Sequence, residues 1–377
     1  MDAYIRHQRI WRVLHPVLQI WLSRKFNLKH EDLQVEGPVI LIPNHVSAWD
    51  PFLVAMSLRE KQVYFVASEH LFRLGLVSKL LNWLVAPIPR RKGTTGTDTV
   101  KACLRHLRQG HSVCLFAEGE QCWDGVSAPI FPATGKMVKA SGATLVTYRL
   151  EGGYLSCPRW GRGVRRGAVY GHPVGVYPPE QLKDMSAQEV NALIQRDIEE
   201  DAWLRQQEKA VHFRGRNRAE GMERALYACP ACLRIGTLRT AGDRIFCACG
   251  FERQYLETGF FSPAEPFARI DQWDQWQKAL VKERGFSHAG ELLFWDDGIE
   301  LSRIQADHSE QSLLTGKLEQ YENRLVCGDF VFPLEEIQTM AEVQTHLLLV
   351  HIQGEYYQLR TRTGANLKKY LDIWKEK

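Results

Sequence analysis

Between residues 38 and 175 short apolar runs alternate with helical stretches, and this alternation restricts the fold more than any other feature of the chain. The runs are PVILIP (38–43), QVYFVAS (62–68), SVCLFAE (112–118) and ATLVTYRL (143–150). Helical segments at 51–58, 71–84 and 98–109 separate them, the last starting at Thr97 or Asp98 as cap and stopping at Gly110. Such a pattern predicts an α/β layer with a mainly parallel sheet. Residues that do chemistry on such sheets sit on loops at the carboxyl ends of strands. Two segments fall there: Asn44–Asp50 (NHVSAWD) after the first run, and the Glu118-Gly119 turn after the third.

His45 and Asp50 lie five positions apart on the first of these loops. An Asp that fixes the tautomer of a His ring and stabilises the imidazolium is what a general base needs to take a proton from a hydroxyl. The same spacing also admits a plainer account, with Asp50 a helix cap before Pro51 and His45 an ordinary loop residue. Arg90, Arg91 and Lys92 follow the apolar turn Pro87-Ile88-Pro89 and suit a phosphate or another anionic head group. An exposed charged face and a solvated acid at Glu118 are the plainer readings of these two elements.

Composition narrows the partners. The 377 residues suggest two or three domains, and a net charge of +4 gives no bulk attraction to nucleic acid, so none is expected as partner. Residues 1–30 carry six cations against Asp2 alone, interleaved with apolar residues at helical spacing. This basic, Trp-containing amphipathic helix suits a membrane interface or a docking face on its own domain. No stretch has the eighteen apolar residues of a spanning helix, because LFRLGLVSKLLNWLVAPIP (71–89) is broken by Arg73 and Lys79. A cytoplasmic protein, peripheral on the membrane, is expected. Nine cysteines with no secretory context point to reduced thiols.

Four of those cysteines cluster as Cys229-Pro-Ala-Cys232 and Cys247-Ala-Cys249. Two thiolate pairs on turns can close a tetrahedral structural Zn site, and the fourteen residues between them fit a β-hairpin. A redox CxxC is the competing account. Elsewhere, Ser186-Ala-Gln-Glu189 reads as a capping box opening a helix within 179–209. Residues 210–222 are a basic connector, and 267–284 form a Trp-rich helix. Seven short strands from 290 onward, closed by a helix at 365–375, read as an all-β barrel or sandwich. The expected domains are thus an N-terminal helix (1–30), the α/β domain (31–210), a zinc ribbon (225–256), a helical linker (257–289) and the β domain (290–377).

Taken in order, His45 to Asp50, the cationic turn at Ile88–Arg91 and Phe116-Ala117-Glu118-Gly119 resemble the glycerolipid acyltransferase family, over about residues 35–175. The resemblance implies acyl transfer from acyl-CoA or acyl carrier protein to the hydroxyl of a lysophospholipid, with 1-acylglycerol-3-phosphate as the expected acceptor. His45 would be the base and Asp50 its orienting partner. Arg90, Arg91, Glu118 and Gly119 would bind substrate, and no catalytic cofactor is implied. Backbone N–H groups near Pro51 or at Gly119 would hold the oxyanion. The chain departs from the family pattern at Ala117, at Glu120-Gln121 where Thr-Arg is usual, and at Thr147-Tyr148-Arg149. The cation missing after Gly119 could be replaced by Arg90, Arg91, Lys136, Arg159, Arg162, Arg165 or Arg166. The tail resembles pleckstrin-homology or GRAM-like domains. The alternative from another class is a lipid- or protein-binding adaptor with a degenerate acyltransferase domain.

Overall fold

The computed structural model describes residues 3–73, 75–90, 96–285, 290–305 and 309–376. The chain divides into two compact units. The first runs to Gly215 without 160–162, which go with the second unit from Arg216 onward.

The first unit is an α/β layer. Its strands are β1 (Leu28–His30), β2 (Val39–Pro43), β3 (Val63–Ser68), β4 (Ile88–Arg90), β5 (Ser112–Cys114), β6 (Thr144–Glu151) and β7 (Val169–Tyr177). Their order across the sheet is β1-β7-β6-β2-β5-β3-β4. From β6 to β4 all neighbours are parallel; β7 runs antiparallel to β6, and β1 parallel to β7. The sheet is therefore mixed and largely parallel. β2 is buried along its whole length. Alternate residues point to opposite faces, so Val39 and Leu41 enter one core with Leu22, Leu53 and Tyr148, while Ile40 and Ile42 enter another with Leu107 and Ile194.

Helices flank the sheet: α1 (Ala3–Phe26), α2 (Asp50–Ala55), α3 (Leu76–Leu84), α4 (Thr97–Arg108), α5 (Thr134–Ser141), α6 (Gly153–Ser156), α7 (Pro179–Leu182), α8 (Ala187–Ile198) and α9 (Ala202–Glu208). Ser186 caps α8 with the reciprocal bonds of a capping box. α1 ends before Asn27, whose φ of 53° is the left-handed conformation that stops a helix. One side of α1 packs on the sheet: Leu22 and Phe26 are buried, Trp11 donates to the Leu58 carbonyl and His15 bonds the Met56 carbonyl. Its other side leaves Val13, Val17, Ile20 and Trp21 exposed.

Three departures from the sequence reading have local causes. The third run is a strand only to Cys114, because the chain then turns, with Gly119 N–H donating to the Phe116 carbonyl. α4 begins at Thr97 after Gly96 in the left-handed region, with no side-chain cap. β7 carries Pro173 and two glycines, which conceal its strand pattern; the ladder accommodates the proline through a register shift beside Tyr148.

The second unit is antiparallel. A four-stranded sheet holds β8 (Leu238–Ala241), β9 (Arg244–Cys247), β10 (Glu252–Tyr255) and β11 (Phe261–Ser262), followed by α10 (Ile270–Gly285). A second sheet has seven strands: β12 (Leu292–Ile304), β13 (Glu310–Tyr321), β14 (Arg324–Cys327), β15 (Phe330–Pro333), β16 (Ile337–Val343), β17 (Leu347–Ile352) and β18 (Glu355–Thr361). Their order is β15-β14-β13-β12-β18-β17-β16. The number of strands is as expected but the division differs. ELLFW and GIELSRI are one strand, β12, that bends through register shifts. FVFPLEEIQTMAEV is split at Leu334–Glu336 into β15 and β16. The terminal helix α11 (Lys368–Lys375) inserts Tyr370 and Leu371 into a core shared with Tyr227 and Ala228 of the cysteine segment and Val281 of α10. The stretches 225–256, 257–289 and 290–377, read separately from the sequence, thus contribute to one core.

Candidate active site

His45 leaves the sheet two residues after β2, and the surrounding loop is held from three directions. Asn44, fully buried, uses both ends of its amide on one residue of the neighbouring strand: its Nδ2 donates to the Leu150 carbonyl (3.0 Å) and its Oδ1 accepts the Leu150 N–H (2.7 Å). This side chain continues the β2–β6 ladder beyond Pro43. Sequence reading did not single out Asn44; its position next to His45 was the available signal.

Asp50 holds the loop from below. Its Oδ2 accepts from His45 Nδ1 (2.8 Å), Val46 N–H (2.6 Å) and Ser47 N–H (2.9 Å), while Oδ1 accepts from Ser47 Oγ (2.7 Å). Asp50 is the first residue of α2 and Trp49 occupies the cap position without a side-chain bond. The capping account of Asp50 therefore gives way: its carboxylate faces back onto His45, Val46 and Ser47. An oxygen already accepting two peptide N–H bonds makes Nδ1 the protonated nitrogen of His45 and leaves Nε2 with its lone pair. The His45 ring lies on Phe116, with centroids 4.2 Å apart and planes inclined by 24°.

Glu118 closes the third side. It is buried, and its two oxygens accept the His45 N–H (2.7 Å) and the Ala128 N–H (2.8 Å). Burial pushes its carboxyl up to about 8, against the pull of those two N–H donors. Its carboxylate oxygens are thus committed to peptide groups. Gly119 has φ 74°, and a Cβ there would lie 2.2 Å from the Phe131 ring, so the turn after Glu118 requires glycine. The N–H groups expected to face an oxyanion are engaged locally. Gly119 donates to Phe116, and Phe52 and Leu53 both donate to Trp49.

The cations are dispersed. Arg90 ends β4, three strands from β2 in the same parallel set, roughly 14 Å away at ordinary strand spacing. Arg91 lies outside the described residues. Lys136 is exposed on α5. The Arg159 side chain, only 3% exposed, reaches the loop after Glu118: it approaches Glu120 at 3.5 Å, donates to the Gln121 carbonyl and lies 4.2 Å over the Trp123 ring. Arg165 is also 3% exposed.

In the second unit the four clustered cysteines meet. All their Sγ atoms lie within 4.8 Å of one another, Cys229 and Cys249 at 3.6 Å and Cys232 and Cys247 at 3.8 Å. Tetrahedral bonds of ~2.3 Å to a metal would separate sulfurs by about 3.8 Å. The turn amides of Ala231 and Cys232 face Cys229, and that of Cys249 faces Cys247. β8 and β9 form the hairpin between the two pairs. This donor set could hold a structural metal.

Residues 25–151 match the acyltransferase family model. That span contains the whole His45–Asp50–Glu118 arrangement. Among solved structures, the 1-acyl-sn-glycerophosphate (LPA) acyltransferase PlsC from Thermotoga maritima aligns with 52% of this chain and 81% of its own, at 14% identity and a TM-score of 0.43.

The Glu118 environment sets a pH dependence. A carboxyl raised from 4.5 to about 8 binds its proton more tightly in the folded chain. Its contribution to stability is full below about pH 4.5 and is lost as the pH rises through 8. Urea unfolding between pH 5 and 8 should show wild type losing stability relative to Glu118→Gln, by at most about 1.4 kcal/mol per pH unit. At pH 5 the variant should be weaker by about 1–3 kcal/mol, because its amide NH2 faces an N–H donor. Parallel pH profiles would contradict the assignment.

Proposed function

We propose that this chain is an O-acyltransferase that moves a fatty acyl group from acyl-CoA or acyl carrier protein to the hydroxyl of a lysophospholipid, with 1-acylglycerol-3-phosphate as acceptor, in phospholipid biosynthesis. The observation that carries the proposal is the buried Asp50 carboxylate on His45 Nδ1, inside the span that matches the acyltransferase family model. With Nδ1 protonated, Nε2 takes the proton of the acceptor hydroxyl as its oxygen attacks the thioester carbonyl. Asp50 stabilises the imidazolium that forms. Collapse of the tetrahedral intermediate breaks the C–S bond, and the proton returns from His45 to the departing thiolate. Glu118 holds the His45 backbone, and Phe116 supports the ring from one face. Among the cations, Arg90 and Arg91 are proposed for the anionic portion of a substrate.

The proposed site of action is a membrane surface. α3 buries none of its residues, and Leu76, Val77, Leu80 and Trp83 are half to four-fifths exposed. The open side of α1 adds Val13, Val17, Ile20 and Trp21, and Arg6 lies over the Trp83 ring. No helix among the described residues is long and apolar enough to cross a membrane. An amphipathic surface flanked by cations suits insertion to headgroup depth. For the cysteine cluster we propose Zn2+, held by Cys229, Cys232, Cys247 and Cys249 with no open position.

His45→Ala should lower transfer from labelled acyl-CoA to lysophosphatidate by roughly 100- to 10,000-fold with an unchanged circular dichroism spectrum; near-normal turnover would refute the base. Sedimentation with anionic phospholipid vesicles should recover wild type in the pellet, and Trp21→Ser with Trp83→Ser should shift it to the supernatant. Elemental analysis of the purified chain should find one Zn per chain, lost in Cys232→Ser; a metal-free, stably folded wild type would reject the zinc site.

A further inference from the structure

Two arginines at the same sheet edge as His45 form a pair that neither the family motifs nor the preceding scheme uses. Arg166 and Arg214 sit directly opposite each other in an isolated antiparallel bridge. Each donates its N–H to the other's carbonyl, at 2.7 and 2.9 Å. Residues that exchange both bonds have Cα atoms about 5.5 Å apart and project their side chains from the same face. Both side chains are exposed, and neither has an acidic partner among the described residues. Like charges in this register are destabilising unless an anion lies between them.

The backbone that sets this spacing is tightly fixed. A Cβ at Gly167 would lie 2.1 Å from the buried Phe213 ring, and one at Gly152 would lie 2.2 Å from the Ala168 carbonyl. The adjoining Arg165 is tied to buried Ser156 by two bonds, N–H to carbonyl at 2.8 Å and Oγ to carbonyl at 2.7 Å. Arg166 precedes β7 by three residues, and the start of β7 pairs with the end of β6. The pair therefore lies past the carboxyl end of β6, the immediate neighbour of the strand that carries His45. Glu151, at that strand end, is already engaged by Arg205 at 2.8 Å and His172 at 3.1 Å.

We infer that Arg166 and Arg214 form a two-armed site for a phosphate monoester of a substrate. The fork geometry of guanidinium groups suits phosphate oxygens. The site would supply the cation that the chain lacks after Gly119. The identity of the phosphate as a substrate's rests on the acyl-transfer reading; the anion site itself does not. Two substrates carry such a group, the glycerol phosphate of the acceptor and the 3′-phosphate of a CoA donor.

Calorimetric titration of the full chain with glycerol 3-phosphate, and separately with adenosine 3′,5′-bisphosphate, tests the site without turnover. One of the two should bind the Arg166→Gln/Arg214→Gln double variant roughly 10- to 100-fold more weakly than wild type. Double Arg→Lys should retain an intermediate affinity. In the transfer assay, KM should rise for the matching substrate with kcat little changed: for lysophosphatidate if the acceptor uses the site, or for acyl-CoA but not acyl-dephospho-CoA if the donor does. Equal affinity of wild type and a folded Gln variant for both ligands would overturn the proposal. Arginine-dependent binding in a chain that transfers no acyl group would uphold the anion site and refute the acyltransferase reading instead.

Discussion

Four hydrogen bonds converge on the carboxylate of Asp50, a side chain with no exposed surface. Burying a carboxylate costs several kcal/mol unless donors replace its water, and here the loop just before it supplies them all. The amides of Val46 and Ser47 and the Ser47 hydroxyl can reach one side chain only if residues 45–50 coil tightly around it. The bond to His45 is part of the same arrangement. The loop conformation, the ring orientation and the tautomer therefore share one cause, and any weakening of the Asp50 site would alter all three together.

The place of β2 in the sheet adds a second constraint. Its parallel neighbours are β6 on one side and β5 on the other, and the loop after it is tied to both. Asn44 grips Leu150 of β6, and Glu118, beyond β5, grips the His45 amide. A loop fixed to two strands cannot rotate about either attachment. The Glu118 carboxyl, pushed up toward 8, is strained electrostatically by burial while its two N–H bonds hold it in place. Such a perturbed acid marks functional sites more often than ordinary cores, and here it holds the backbone N–H of His45, the residue that carries the ring.

Much of this was legible in the sequence because it depends on local pattern. The alternation of runs marked β2, β3 and β6, and Ser186 with Glu189 marked the start of α8. His45, Asp50 and Glu118 fell at strand ends, where a parallel sheet brings loops together. Other features depend on contacts distant in sequence. The partner of Asn44 is 106 residues away, and the second donor to Glu118 comes from Ala128, in a stretch with no regular pattern. β7 was hidden by Pro173, Gly171 and Gly175, residues that ordinarily argue against a central strand. The Arg166–Arg214 pair joins two irregular basic segments, which read separately are only solvated charge.

The C-terminal helix shows the same limit from another direction. In KKYLDIW two lysines stand side by side, yet Lys368 and Lys369 are each 1% exposed. Residues next to each other on a helix point about 100° apart, and these two lead to different partners. Lys368 contacts Asp274 of α10 and Asp372, both at 2.6 Å, while Lys369 contacts Asp296 of β12 at 2.6 Å. Tyr227, from the cysteine segment, donates to Asp372, and Tyr370 donates to Asp296. Ion pairs this deeply buried add little net stability, because desolvation offsets their attraction. What they do is penalise every misaligned arrangement, since a shift of α11 by one residue would strand a buried charge. An apolar seam of the same length would tolerate such a shift. The ionic seam thus specifies a single register among α11, α10, β12 and the segment that carries Tyr227, which accounts for three segments of unlike sequence character sharing one core.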